Sequence, residues 1–436
     1  MHTDVSRSRS AGSDAEFNKL WIGYSISTIG SQVTVLALPL AAVLLFGAGP
    51  TETGVLVAAR MAPIVLGGPF VGVWVDRHPR RPLLIAAAIG SALAVGSVPV
   101  AAFLGVLTLG QLFVVSFIAG TFSTVSQTAR GAVLPALVGR ARLVTANARL
   151  QASDSIAQVA GPSLGGVLVQ ALTAPIAMGM DAASFLVSAI FVATVRIEES
   201  STAAASRRRL WHEIREGLLW VRDHPTLLRA IVAIALANIE WFAVQAILVV
   251  YATKELALSP ALLGISLAAA GPFSVLGAAV AGPLTLRWGL GPTMIVALVL
   301  EAASRLLLPF AAGSETQAAA VLMFTQALVG LTVPLWSVSF RTLQQAVTPD
   351  RLLGRVGSAA NVLQFVVAPP AAIGAGLLGD AIGLRPTLFI AGLIAIVAVV
   401  YLLPLRSLRA VPAQGQDYEI VPATPRVNQD SGQIRS

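Results

Sequence analysis

Gly72-Val73-Trp74-Val75-Asp76-Arg77-His78-Pro79-Arg80-Arg81 is a charge-dense break between two long apolar runs, roughly 53–75 and 82–105. An ionised side chain deep in hydrocarbon costs about 3 kcal/mol or more. Asp76, Arg77, Arg80 and Arg81 must therefore lie on a membrane surface, while His78 is mostly neutral near pH 7. The arginine excess assigns that surface to the cytoplasm, because short basic loops are retained on the inside.

Working outward from this loop, apolar runs of spanning length, about 20 residues, follow one another along the chain. The first six are roughly 19–46, 53–75, 82–105, 108–131, 145–170 and 175–196, and six more run over 229–253, 259–286, 291–312, 316–340, 355–379 and 386–408. The basic residues test this division independently of hydropathy. Of 29 Lys and Arg, only Lys254 and Arg385 fall in outer loops, and Arg60, Arg130 and Arg305 lie in or at the ends of spans. The rest belong to the tails, the inner loops or their helix ends, so an even number of spans with both termini cytoplasmic is expected.

Composition agrees with this layout. With 56% hydrophobic and 11% charged residues in 436, and a mean hydropathy of +0.79, the chain is far from the roughly 25% charge of a soluble domain. An all-α polytopic membrane protein is the implied class. The net charge of +8 is spread over membrane-facing loops and reads as topology rather than as a nucleic-acid surface. With no cysteine in the chain, disulfides, thiolate metal sites and cysteine nucleophiles are excluded. Met1–Asn18 is polar and lacks the pattern of a cleaved signal, so the first run is expected to be a retained span.

Four further boundaries follow. Residues 1–18 form a cytoplasmic tail, 19–196 a six-helix bundle, 197–228 a cytoplasmic linker, 229–408 a second six-helix bundle, and 409–436 a Pro-, Gln- and Ser-rich tail expected to be disordered. Within the linker, Leu210, Ile214, Leu218 and Val221 recur at helical spacing ahead of Pro225, which predicts an amphipathic helix on the inner leaflet. The halves echo each other: Gly72-x-x-x-Asp76-Arg77-x-Pro79 is answered by Gly282-x-x-x-Leu286-Arg287-x-Gly289, and Arg142-Leu143 by Arg351-Leu352. Twelve spans as two pseudo-symmetric six-helix bundles is the layout of a secondary transporter with its site between the halves.

On these residues the chain resembles the major facilitator superfamily. The family's loop after the second span, Gly-x-x-x-Asp-Arg-x-Gly-x-Arg-Arg, is matched by Gly72, Asp76, Arg77, Arg80 and Arg81, with Pro79 in place of glycine and one spacer fewer. The resemblance implies that this loop holds the halves together on the cytoplasmic side when the cavity faces outward. Gly161-Pro162-Ser163-Leu164-Gly165-Gly166 resembles the motif of proton-coupled exporters in the fifth span. Physically, Gly161 and Gly165 offer a small face for close backbone approach, and Pro162 permits a bend. The pattern over Pro135 to Val192 is similar to the group that includes macrolide efflux proteins and the enterobactin exporter. One departure is that Leu109–Thr128 has no charge, so the fourth-helix arginine of other drug exporters is absent.

Charges inside spans persist when paired, hydrated or used. Asp154, seven residues before Gly161, and Glu240, near mid-span, are the proton-coupling candidates, with a structural hydrogen bond or ion pair as the alternative for each. Glu301 and Arg305 stand four apart, the spacing of an intrahelical pair. Arg60 lacks a local partner and is free to face Asp154, Glu240 or an anionic ligand. Asp181 reads as a capping or packing residue. A cavity for an amphipathic molecule needs aromatic faces and a few polar groups, for which Gln32, Arg60, Asn238, Trp241, Gln245, Trp336, Asn361 and Gln364 are candidates. Each amide serves interhelical packing equally well.

The resulting expectation is a monomeric transporter of a bacterial plasma membrane that exports hydrophobic or amphipathic compounds in exchange for protons. No cofactor, metal, nucleic-acid partner or enzymatic activity is expected. A facilitator or importer of a small metabolite or lipid, and a non-transporting membrane sensor, are the alternatives.

Overall fold

A computed structural model describes residues 2–139, 142–196 and 207–408, with side chains placed from residue 15 and omitted at 68–70, 73, 76 and 207–214. The side chain of Asp76, the linker residues 197–206 and the tail 409–436 lie outside the described residues.

The first half holds α1 (His2–Phe46), α2 (Pro50–Asp76), α3 (Arg80–Phe103), α4 (Leu109–Val138), α5 (Leu143–Ala171) and α6 (Ala174–Thr194). The polar stretch 1–18, expected as a tail, continues α1 as helix from His2. After α7 (Arg207–Asp223) the second half holds α8 (Pro225–Val250), α9 (Pro260–Ala268), α10 (Ala270–Trp288), α11 (Leu290–Leu307), α12 (Glu315–Val347), α13 (Leu353–Phe365), α14 (Ala368–Ile382) and α15 (Leu384–Leu402). Pairs α9/α10 and α13/α14 are single spans with a break. Pro272 and Pro369 have no N–H to offer the carbonyls of Ala268 and Phe365, the residues at which α9 and α13 stop.

Among the described residues, ten segments are long and apolar enough to cross a bilayer. Two further helices, α2 and α5, are also of spanning length. Helix α2 packs on α4, α14 and α8, and α5 packs on α1, α9 and α10. The fold is that of an all-α polytopic membrane protein.

The pairing of helices repeats between halves. In the first, α1 packs on α6, α2 on α4, and α3 on α4 and α6. In the second, α8 packs on α15, α10 on α12, and α11 on α12 and α15. The halves meet along two equivalent seams, α2 with α14 and α5 with α9. Gly166 and Gly264 make the second seam possible: a Cβ on either would overlap the other helix's backbone, at the carbonyls of Pro260 and Pro162 respectively.

The buried apolar side chains divide unevenly. One cluster draws on both halves, from Val33 to Leu56 in α1 and α2 and from Ala243 to Leu263 and Ala372 to Ala391 in the second half. It lies at the end of the molecule away from the basic loops. At the basic end the halves have separate clusters, one around Leu83, Val133 and Leu150 in the first, and in the second one around Ile234, Met294 and Val356 with a small one of Ala281, Ala297 and Leu335. Polar ties reinforce the shared end. Lys254 Nζ donates to the Gly47 carbonyl at 2.9 Å, Thr51 N–H to Asp380 Oδ2 at 3.1 Å, and Ala261 N–H to Gln170 Oε1 at 3.0 Å. Arg385 pairs with Glu255 at 2.9 Å. Helix α7 rides on the second half, with Gly217 against the Arg355 carbonyl and Glu216 paired with Arg355.

Candidate functional site

A cavity of about 330 Å³ opens inside the first half and is lined by all six of its helices. Its wall is hydroxyl-rich, with Ser27, Ser31, Ser91, Ser123 and Ser126, and Phe122 and Phe185 supply aromatic faces. Four ionisable side chains and one phenol line it at two depths.

Toward the basic end, the Tyr24 hydroxyl donates to Asp154 Oδ1, and the Arg130 guanidinium lies over the Tyr24 ring, 3.8 Å from its centroid. Deeper in, Asp181 on α6 is 1% exposed and accepts from Thr34 Oγ1 and from Ser184 Oγ at 3.1 Å. Arg60 on α2 faces Asp181 as its counter-charge. Asp181 is therefore not a cap: Thr173 caps α6 by accepting from Ile176 N–H, two turns earlier.

The segment Gly161–Gly166 packs behind the cavity wall rather than lining it. Gly161 packs on Gln32 and Gly165 on Val33, both on α1, while Gly166 faces α9. One helix thus ties the cavity wall, where Asp154 and Gln32 reside, to the seam between halves. In the loop 72–81 Arg77 is exposed, and Gly72 has open space around it. Arg81 donates to the Ala193 carbonyl within the first half.

The second half carries a different charge cluster. Glu240 Oε1 forms an ion pair with Arg305 Nε at 2.6 Å, with side-chain exposures of 0% and 3%. Arg305 reaches across to α8 for this partner, whereas the spacing predicts a pair with Glu301 on its own helix. Glu301, 4% exposed, acts on the same pair through space. The Trp241 ring is 5.2 Å from the Arg305 guanidinium. Two carboxylates and one guanidinium make this buried group neutral when it carries a single proton.

Of the expected cavity residues, Gln32 and Arg60 line the first-half cavity. Asn238 Nδ2 instead donates to the Gln364 carbonyl at 2.8 Å, tying α8 to α13. Trp336 packs into the second-half cores, Gln364 is buried, and Gln245 and Asn361 are exposed. The spacing brings Asp154 to the cavity but does not reveal Tyr24, Arg130 or Thr34. Arg130 sits near a span end, where it reads as topology, and only the α1–α4–α5 packing makes it part of a site.

The family model described as Major Facilitator Superfamily matches residues 20–372 and 230–426. The chain belongs to the major facilitator superfamily. Relatives of this major facilitator protein include the multidrug efflux pump Tap of Mycolicibacterium fortuitum, 26% identical over 82% of the chain and 88% of the relative. Macrolide efflux protein A of Streptococcus pyogenes is 24% identical over 88% and 95%. An uncharacterized transporter of the same type, YfiS of Bacillus subtilis (strain 168), is 25% identical over 85% and 88%. Among solved structures, a bacterial homologue of the iron transporter ferroportin in its inward-facing state superposes with a TM-score of 0.73 at 19% identity, covering 90% of this chain and 99% of that one. The nucleoside transporter NupG gives 0.75 at 12%, covering 89% and 99%. At these identities the superpositions speak to the fold alone.

Proposed function

We propose that this major facilitator protein exports hydrophobic or amphipathic small molecules from the cytoplasm of a bacterial cell by proton antiport, alternating access between its two halves. The reading rests first on where the halves share a core. They are joined at the end away from the basic loops and separate at the basic end, as an inward-open carrier would be if the basic loops and both termini face the cytoplasm. The efflux names of the relatives support the direction of transport.

In this reading, substrate enters the first-half cavity from the basic end, and Asp154, held by Tyr24 beside Arg130, takes up and releases the proton. An acid that lines the cavity exchanges protons with it directly. Glu240 lies behind its ion pair and exchanges only when α8 and α11 repack, so it serves as the second coupling candidate. Rocking the halves about the two seams would close loop 72–81 against the second half and open the far end.

Expression in an efflux-deficient bacterium, with a panel of antibiotics and dyes, is the direct test. The parent chain should lower the accumulation of at least one amphipathic compound. In everted vesicles, uptake of that compound should collapse when a protonophore dissipates the gradient, and Asp154→Asn should lose most of that gradient dependence. Uptake that ignores the gradient, or accumulation that rises in the cells, would overturn the antiport reading.

A further inference from the structure

Beyond its volume, the cavity has an unbalanced polarity that selects a ligand. Its carboxylates are hydrogen-bonded within the protein, Asp154 at Oδ1 by Tyr24 and Asp181 at both oxygens by Thr34 and Ser184. Its guanidiniums are not. Among the described residues, neither Arg60 nor Arg130 forms a hydrogen bond or ion pair. Arg60 feels Asp181 only through space, and Arg130 makes only its stacking contact with Tyr24. A guanidinium inside a span is costly unless something satisfies its five N–H donors, and its planar fork matches a carboxylate or phosphate in bidentate fashion.

From this geometry, and resting on the export reading above, we infer that the first-half cavity binds amphipathic anions, with Arg60 holding the carboxylate or phosphate group. Position along α4 gives the two arginines separate tasks. Gly120 of α4 packs against the Arg60 backbone, and Arg130 lies ten residues further toward the basic end of the same helix. That separation is about 15 Å at the usual 1.5 Å per residue. Arg130 therefore meets an entering anion first, and Arg60 binds it at depth, where Phe122 and Phe185 cover the apolar part of the molecule. Asp181 keeps the empty site near neutrality without blocking it, because hydroxyls hold its oxygens away from a direct ion pair.

The test uses the full chain in nanodiscs and three fluorescent probes with one scaffold: dansyl-aminooctanoate, its primary amide, and dansyl-diaminooctane. The parent should bind the carboxylate at least tenfold more tightly than the amide or the amine. Arg60→Gln should abolish that preference, and an unchanged thermal unfolding midpoint reports that the variant is folded. Arg60→Lys should retain part of it. If the parent binds the amide or amine as well as the carboxylate, or if Arg60→Gln keeps the preference, the site is not an anion site. The parent measurement decides this even if Arg60→Gln does not fold. The export reading fails separately: selective binding with no gradient-driven uptake in vesicles would leave the anion site standing, and uptake of neutral or cationic probes alone would leave export standing and remove the site.

Discussion

At the scale of the residue, charges in the spans differ in what surrounds them. Glu240, Arg305 and Glu301 form a sealed group of two acids and one base, so losing each member has a different consequence. Arg305→Met leaves two buried carboxylates without a cation and is expected to cost about 3–5 kcal/mol of stability. Glu240→Gln should cost less, since Arg305 retains Glu301 four residues away on α11. Thermal unfolding of the purified variants checks the order, and a lower midpoint for Glu240→Gln than for Arg305→Met would contradict it. The sequence made the Glu301–Arg305 spacing visible because helical neighbours are local information. The actual partner, Glu240, is 65 residues away along the chain and becomes adjacent only through the packing of α8 on the bundle. Asp181 was obscured for the same reason: the hydroxyls that hold it include Thr34, from another helix.

At the scale of the element, the proposed rocking turns on the two seams between the halves. Helices α5 and α9 touch backbone to backbone at Gly166 and Gly264, so Gly264→Val must push them apart. Overpacking of this kind costs about 1–3 kcal/mol, and here it is charged to the conformation in which the far end is sealed. Gly374→Val is the control, because a Cβ there meets nothing within 4 Å. Maleimide labelling of a single cysteine introduced at Ala48, 4% exposed in the core shared by the halves, should rise in the Gly264→Val background and stay at the parent level with Gly374→Val. Equal labelling in both would remove the seam from the mechanism. A small-residue face was legible in α5 from Gly161 and Gly165, which pack on α1, whereas the seam is made by Gly166. The seam partner was not legible, since nothing in Gly161 to Gly166 says that two of these glycines face α1 and the last faces α9. The break between α13 and α14 is absent from a plain hydropathy cut, although Pro369 marks it once backbone donors are counted.

At the scale of the whole molecule, hydropathy and the alternation of basic loops were enough for the fold, because a bilayer admits few ways to satisfy a backbone and sorts arginine by side. They were not enough to locate the cavity. Mid-helix amides and tryptophans on α8, α12 and α13 suggested a site shared by the halves, yet the polar cavity described is lined by the first half alone. Polar character within a span is needed for helix packing as well as for ligands, and Asn238, bonded to the Gln364 carbonyl, serves the former. The central claim is that the halves rock about their seams, exchanging one sealed end for the other. The chain contains no cysteine, so two engineered pairs suffice to follow both ends by electron-spin distance measurement: Leu104→Cys with Thr316→Cys at the sealed end, and His78→Cys with Leu286→Cys at the basic end. On adding a transported substrate and lowering the pH on the far side, the first distance should lengthen as the second shortens. Distances that stay fixed, or that lengthen together, would contradict the account.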